Sequence, residues 1–296
     1  MRPGSKIVEI TAREIFSLRG HPGVETTVIT QNGAIGVAVA TGGTSVGSNE
    51  AKFIIDQDGG LHGGRVQGAV DNINSIIAPV LKGMDTTKQL GIDNTLIELD
   101  GTPNKAKLGA NATGSVSAAI LKAGAASLGI PLYQHIGGTN ACILPVPGIQ
   151  TVMGPHRYGG GQRAGMKPTY AIMCYGFDTF REASYAGWEA INEFIRVLNL
   201  KLKLNFSTET FNRIIINTPI VDHDRIFWDI MTETITNLGY EGKMGIQVDV
   251  AASTYFDETK QKYVGLFSAE NKSRADLIEL YKDMVKNYPF VVIEDP

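Results

Sequence analysis

Ile246-Gln247-Val248-Asp249-Val250, the segment from Ser273 to Val285, and Phe290-Val291-Val292-Ile293-Glu294-Asp295 together decide the fold. The first and last are short apolar runs, the pattern of strands buried on both faces. Between them Leu277, Ile278, Leu280, Tyr281, Met284 and Val285 recur at helical spacing, and Ser273 stands where a helix cap belongs. Strand, helix, strand in this order indicates a βα unit on a parallel sheet. Both strands lead into acid: Asp249 lies near the end of the first, and Glu294 and Asp295 directly follow the second. Sites of α/β folds form at the carboxyl ends of parallel strands. Carboxylates from neighbouring ends can converge on one hard cation, and Mg²⁺ favours oxygen ligands. The alternative is that each acid caps the next helix or pairs with a lysine.

The same rhythm extends backwards to Gly138. Asp222 opens a helix carrying Ile226, Phe227, Ile230 and Ile235, stopped by Gly239. Thr179 and Glu182 form a capping box ahead of Ala183, Trp188, Ile191, Phe194, Ile195 and Leu198 on one face. The runs Ile143 to Val146 and Tyr170 to Cys174 supply further strand candidates. Upstream of Gly138 the organisation differs. Lys6 to Ile10, Val24 to Ile29 and Ile35 to Ala40 read as strands, the last two joined by a turn at Gln31-Asn32-Gly33. Helices follow: Val66, Val70, Ile73 and Ile77 share one face, Thr86 to Leu99 is a second helical stretch, and Asn111 to Leu128 is a small-residue helix ended by Gly129 and Pro131. The expected architecture is an α+β domain over residues 1–137, followed over 138–296 by α/β units around a parallel sheet.

Composition narrows the class. The 296 residues are 43% hydrophobic and 19% charged with net charge −3, so no basic stripe argues for nucleic acid. No apolar run reaches the roughly 18 residues of a membrane span, and Met1 to Ile10 lacks a signal-peptide core, so the expectation is cytoplasmic. Cys142 and Cys174 read as buried, reduced thiols. The glycine-rich loop from Thr41 to Ser48 is either a lid offering hydroxyls to metal or phosphate or a plain flexible turn. His156, in Gly154-Pro155-His156-Arg157-Tyr158-Gly159-Gly160-Gly161, is either an anion or proton handler or a solvated loop histidine.

These residues resemble the enolase family. Ala12-Arg13-Glu14-Ile15 with Arg19-Gly20-His21-Pro22-Gly23-Val24-Glu25, Gly43-Thr44-Ser45-Val46-Gly47-Ser48-Asn49-Glu50-Ala51, and Asp100-Gly101-Thr102-Pro103-Asn104-Lys105 with Leu108-Gly109-Ala110-Asn111-Ala112 are similar to its motifs. So are Asp249-Val250-Ala251-Ala252-Ser253 and Tyr288-Pro289 through Ile293-Glu294-Asp295-Pro296. The resemblance implies an enolase-type α+β capping domain over residues 1–137 and a partial α/β, TIM-like barrel over 138–296. It also implies a Mg²⁺-dependent hydro-lyase of glycolysis that dehydrates 2-phosphoglycerate, a small phosphorylated acid, in a homodimer. It carries metal-ligand roles to Asp249 and Glu294, a lid role contacting metal and substrate to Ser45, a catalytic and substrate-binding role to His156, and a substrate-side position to Thr169. Two departures stand out. Thr169 replaces a family glutamate, and Ile214 occupies the general-acid position. The residues after 137 are too few for a TIM-type barrel of about 250. The resemblance puts the family's third metal ligand and catalytic lysines beyond Pro296, and this chain alone is expected to be inactive. The competing expectations are a non-catalytic relative acting as a binding protein, or a divergent lyase acting on another carboxylate.

Overall fold

The computed structural model describes residues 4–18, 20–43, 46–56, 64–154, 156–207, 214–216 and 219–296. The chain divides into two compact units, meeting in sequence at Cys142 and Ile143.

In the first unit, β1 (Ile7–Phe16), β2 (Pro22–Thr30) and β3 (Ile35–Thr41) form an antiparallel sheet in that order. Gly33 makes the expected tight turn between β2 and β3 with φ 79°. Helix α1 (Gln67–Asn72) runs through a π-helical turn, Ile73–Ile77, into α2 (Ala78–Leu81), and Val66, Val70, Ile73 and Ile77 are buried as one face. Next come α3 (Gln89–Asp100), α4 (Ala110–Leu128) and α5 (Leu132–Gly137). The small residues of α4 let it lie directly on β3. A Cβ at Gly36 would stand 2.1 Å from the Ala119 carbonyl oxygen, so only glycine admits this approach. Gly129, with φ 68°, ends α4 in the left-handed cap its sequence promised.

The second unit holds a five-stranded sheet: β4 (Gly148–Met153), β5 (Thr169–Cys174), β6 (Ile214–Ile215), β7 (Met244–Asp249) and β10 (Phe290–Glu294), in the order β10-β7-β5-β4-β6. A small hairpin, β8 (Phe256–Asp257) and β9 (Lys262–Tyr263), lies between β7 and β10 in sequence. Helices α6 (Phe180–Leu202), α7 (Arg225–Asn237) and α8 (Arg274–Asn287) complete the unit. Thr179 caps α6, and Ser273 with Asp276 forms a full capping box on α8. The core joins Tyr170, Ile172, Ile246, Val248 and Phe290 of the sheet to Phe194, Leu198, Phe227 and Trp228 of the helices.

Five expectations need correction. The sheet is mixed, not all parallel: β5 runs antiparallel to β4 and β7, while β10–β7 and β4–β6 are parallel. Among the described residues no helix separates β4 from β5, and the intervening glycine loop returns the chain antiparallel. The first strand begins at Gly148, and the apolar run before it is exposed, Ile143 at 93%. Helix α7 starts at Arg225 rather than Asp222, because His223 Nδ1 accepts the Arg225 N–H (3.0 Å). Cys142 is exposed, and Cys174 alone is buried. Trp188, Ile278 and Val285 point outward, because helical spacing fixes a stripe but not which of its margins the sheet covers.

Candidate functional site

Asp249 ends β7, and Glu294, in register with it, ends the parallel neighbour β10. Asp295 follows with φ 47°, a left-handed turn that breaks strand alternation. Each of the three acids offers a carboxylate oxygen, and these oxygens lie within 4.8 Å of one another. The main chain fixes both tips. Val250 donates to Glu294 O (3.0 Å) and Ala252 to Asp295 O (3.0 Å). Gln247, two residues before Asp249 and so on the same face, donates to Glu294 Oε2 (3.1 Å).

Asp249 has two unlike oxygens. Oδ2 is paired with the Lys167 ammonium. Oδ1 is buried with no hydrogen-bond partner among the described residues. A buried, unsatisfied carboxylate oxygen costs folding energy unless something else satisfies it. Beside two further carboxylates, a hard cation suits that donor set.

The other expected residues fall differently. Thr169 sits directly opposite Asp249 across the β5–β7 pair, but its hydroxyl donates to Met166 O (3.0 Å). His156 has φ 64°, and its Nδ1 lies 2.9 Å from Gly160 O. A carbonyl only accepts, so Nδ1 is the donor of this bond and Nε2 is the nitrogen left outside it. His156 thus bonds within its own loop and not to the acids. Ser45 lies outside the described residues. Ile214 is 3% exposed and packed in the sheet–helix core.

On the opposite side of the same sheet is an ionic cluster that residue spacing did not reveal. Arg157 donates through Nε to Asp224 Oδ1 (3.0 Å) and through Nη2 to Oδ2 (2.5 Å). Its Nη1 donates to Gly154 O (2.7 Å) and Ile216 O (3.1 Å). The hydroxyls of Tyr158 and Tyr170 also donate to Asp224, at 2.9 and 2.8 Å, and Trp228 Nε1 donates to the Tyr170 oxygen at 3.1 Å. Burial opposes the charge on Arg157, but the Asp224 carboxylate outweighs it and holds the guanidinium above its ordinary value. Burial first, then the Asp224 charge, pushes both phenols upward.

Comparison with known proteins shows the family. A family model described as "Enolase, N-terminal domain" matches residues 7–136, and one described as "Enolase, C-terminal TIM barrel domain" matches residues 141–296. The chain belongs to the enolase family. It is 38% identical to the enolase of Methanopyrus kandleri over 98% of this chain and 67% of that protein. Against the enolase of Thermococcus kodakarensis it is 38% identical over 98% of this chain and 66% of that protein. Against that of Anaplasma phagocytophilum the identity is 39%, over 99% of this chain and 67% of that protein. The chain spans about two thirds of the length of the curated relatives it matches. Its fold is accordingly the enolase amino-terminal domain followed by strands and helices of the enolase barrel domain.

Lys167 is the site residue that sequence reasoning passed over, and Asp295 was named there among the strand-end acids without a ligand role. Asp295 was visible as the acid after Glu294, but strand alternation would aim it away from its neighbour, and only its positive φ brings it round. Lys167 carried no signal. Its proximity to Asp249 follows from the antiparallel return of β5.

Proposed function

We propose that this chain supplies the strand-tip acids of an enolase-type active site, for the dehydration of 2-phosphoglycerate to phosphoenolpyruvate. The single observation that supports the reading is the convergence of Asp249, Glu294 and Asp295 on adjacent strand ends, with Asp249 Oδ1 buried and unpartnered. Asp249 and Glu294, joined by Asp295, would hold a divalent cation, taken as Mg²⁺ from the all-oxygen donor set. When bound, such an ion neutralises negative charge developing on a substrate carboxylate. Gln247 orients Glu294. His156, with Nδ1 committed to Gly160 O, would use Nε2 for proton transfer or substrate contact. Ser45 belongs to the family's lid. Residues 1–137 are read as the capping domain and 138–296 as the barrel part; glycolysis, a homodimer and a cytoplasmic setting complete the family reading.

The chain's own residues lack an acid at the family position. Ile214 cannot donate a proton, and Thr169 contributes a hydroxyl already committed to Met166. No turnover by the 296-residue chain is therefore expected when phosphoenolpyruvate absorbance is followed with Mg²⁺ and 2-phosphoglycerate. Divalent-ion binding that depends on Asp249 is expected. An intact carboxylate cluster that binds no divalent ion at millimolar concentration would falsify the metal reading. Burial of Ile214 favours a second reading, a non-catalytic enolase relative that binds a small carboxylate or phosphate. Retained 2-phosphoglycerate binding without turnover, in a chain extended to the full length of its relatives, separates that reading from the first.

A further inference from the structure

We infer that Lys167 is a tethered competitor for the metal position: its ammonium pairs with Asp249 Oδ2 and so weakens the hold of a divalent cation on the same carboxylate. The inference rests on the metal reading above. The contact is made from a backbone held in place. Lys167 N–H donates to Ala164 O (3.0 Å), and the Tyr255 hydroxyl donates to Lys167 O (2.8 Å). Tyr255 is itself buried in the core. Thr169 Oγ1 ties the same segment to Met166. Lys167 and Thr169 lie two residues apart, and Thr169 is directly opposite Asp249 in the register. The segment leading into β5 thus brings the acid tips a positive charge, and its nearest strand residue brings none.

Electrostatics gives the ammonium its role. Three carboxylates with oxygens within 4.8 Å repel one another, and a cation beside them offsets that repulsion. The Lys167 ammonium supplies one positive charge, to Asp249, and leaves Oδ1 of that residue unsatisfied. A divalent ion carries twice the charge and can reach several carboxylates at once. Both cations draw on Asp249, so each weakens the binding of the other, and the coupling is reciprocal.

The test uses Mn²⁺, whose free-ion paramagnetic resonance signal reports binding without any activity measurement, on the full 296-residue chain. Lys167→Gln is expected to bind Mn²⁺ on the order of fivefold more tightly than wild type, the worth of one partly screened ion pair. Lys167→Arg, which keeps the charge, is expected to stay near wild type. The Mn²⁺-induced rise in Tm should be larger for the Gln variant than for wild type. Equal or weaker binding by Lys167→Gln, with wild type binding normally, overturns the competitor role and leaves the metal site standing. A gain in the Arg variant equal to that in the Gln variant also overturns it, because charge is then not the cause. Absence of binding in wild type and both variants sinks the metal reading and this inference with it. Should Lys167→Gln fail to fold, Lys167→Met, which keeps the aliphatic stem, takes its place under the same criteria.

Discussion

Two neighbouring residues of β5 face two kinds of ionic site. Tyr170 faces the helix side, where Asp224 receives Arg157, Tyr158 and Tyr170 and both of its oxygens are satisfied. Thr169 faces the other side, where Asp249 has one oxygen on Lys167 and one with no described partner, beside two exposed acids. Both sites hold charge in the same unit. The first is closed: every donor of the Arg157 guanidinium named above ends on a carboxylate or carbonyl. The second is left open. A buried charge with complete partners fixes a structure, and removing one partner strands the other. An incompletely satisfied acid cluster stores an affinity for a cation. On this contrast the Asp224 side is read as stabilising, and the Asp249 side is the one proposed to bind a cation.

The largest expected effect breaks the closed site. Asp224→Ala leaves the Arg157 guanidinium buried without its counter-charge and should destabilise by about 3–5 kcal/mol in urea or guanidinium unfolding. A loss below 1 kcal/mol would mean that water or another acid reaches Arg157, and the contrast would fail. Tyr170→Phe removes one hydroxyl that donates to Asp224 and accepts from Trp228; a loss of about 1–3 kcal/mol is expected by the same measurement.

His223, between Trp228 and the buried Lys272, gives a smaller and pH-dependent effect. Burial, reinforced by the Lys272 charge and by Arg225, pushes the imidazole from 6.5 down to about 4, against the opposing pull of Asp224 and Glu270. The folded state therefore holds His223 neutral where the unfolded chain takes up a proton. Stability is expected to fall as pH drops from about 6.5 to about 4, by about 1 kcal/mol after allowance for partial exposure, and to level off below. Unfolding midpoints across that range should lose this part of their slope in His223→Gln; an unchanged slope would assign the effect elsewhere.

The smallest expected change in stability sharpens the open site. Asp249→Asn should alter stability by no more than about 1 kcal/mol, because the ion pair it breaks is partly solvated. The same substitution should abolish Mn²⁺ binding. Unaltered Mn²⁺ affinity in Asp249→Asn would show that Glu294 and Asp295 do not need the β7 carboxylate.

Legibility from the sequence followed the range of the interactions. The caps at Thr179 and Ser273, the turn at Gly33 and the end of α4 at Gly129 depend on a few consecutive residues, and they stand where the pattern put them. The positions of Asp249 and Glu294 after apolar runs followed equally from period and order. The direction of β5 was not legible, because antiparallel and parallel strands share the same apolar alternation.

By itself the sequence determined the family, the element types and the presence of acids at two strand ends, because local propensity and motif spacing are written along the chain. Only the tertiary structure decided that Asp295 turns back beside Glu294, that Lys167 reaches Asp249, and that Arg157 meets Asp224. These pairings join residues up to 82 positions apart, as in Lys167 with Asp249, or depend on one backbone angle, as at Asp295. Sheet register and burial select them, and neither quantity belongs to any short stretch of the chain.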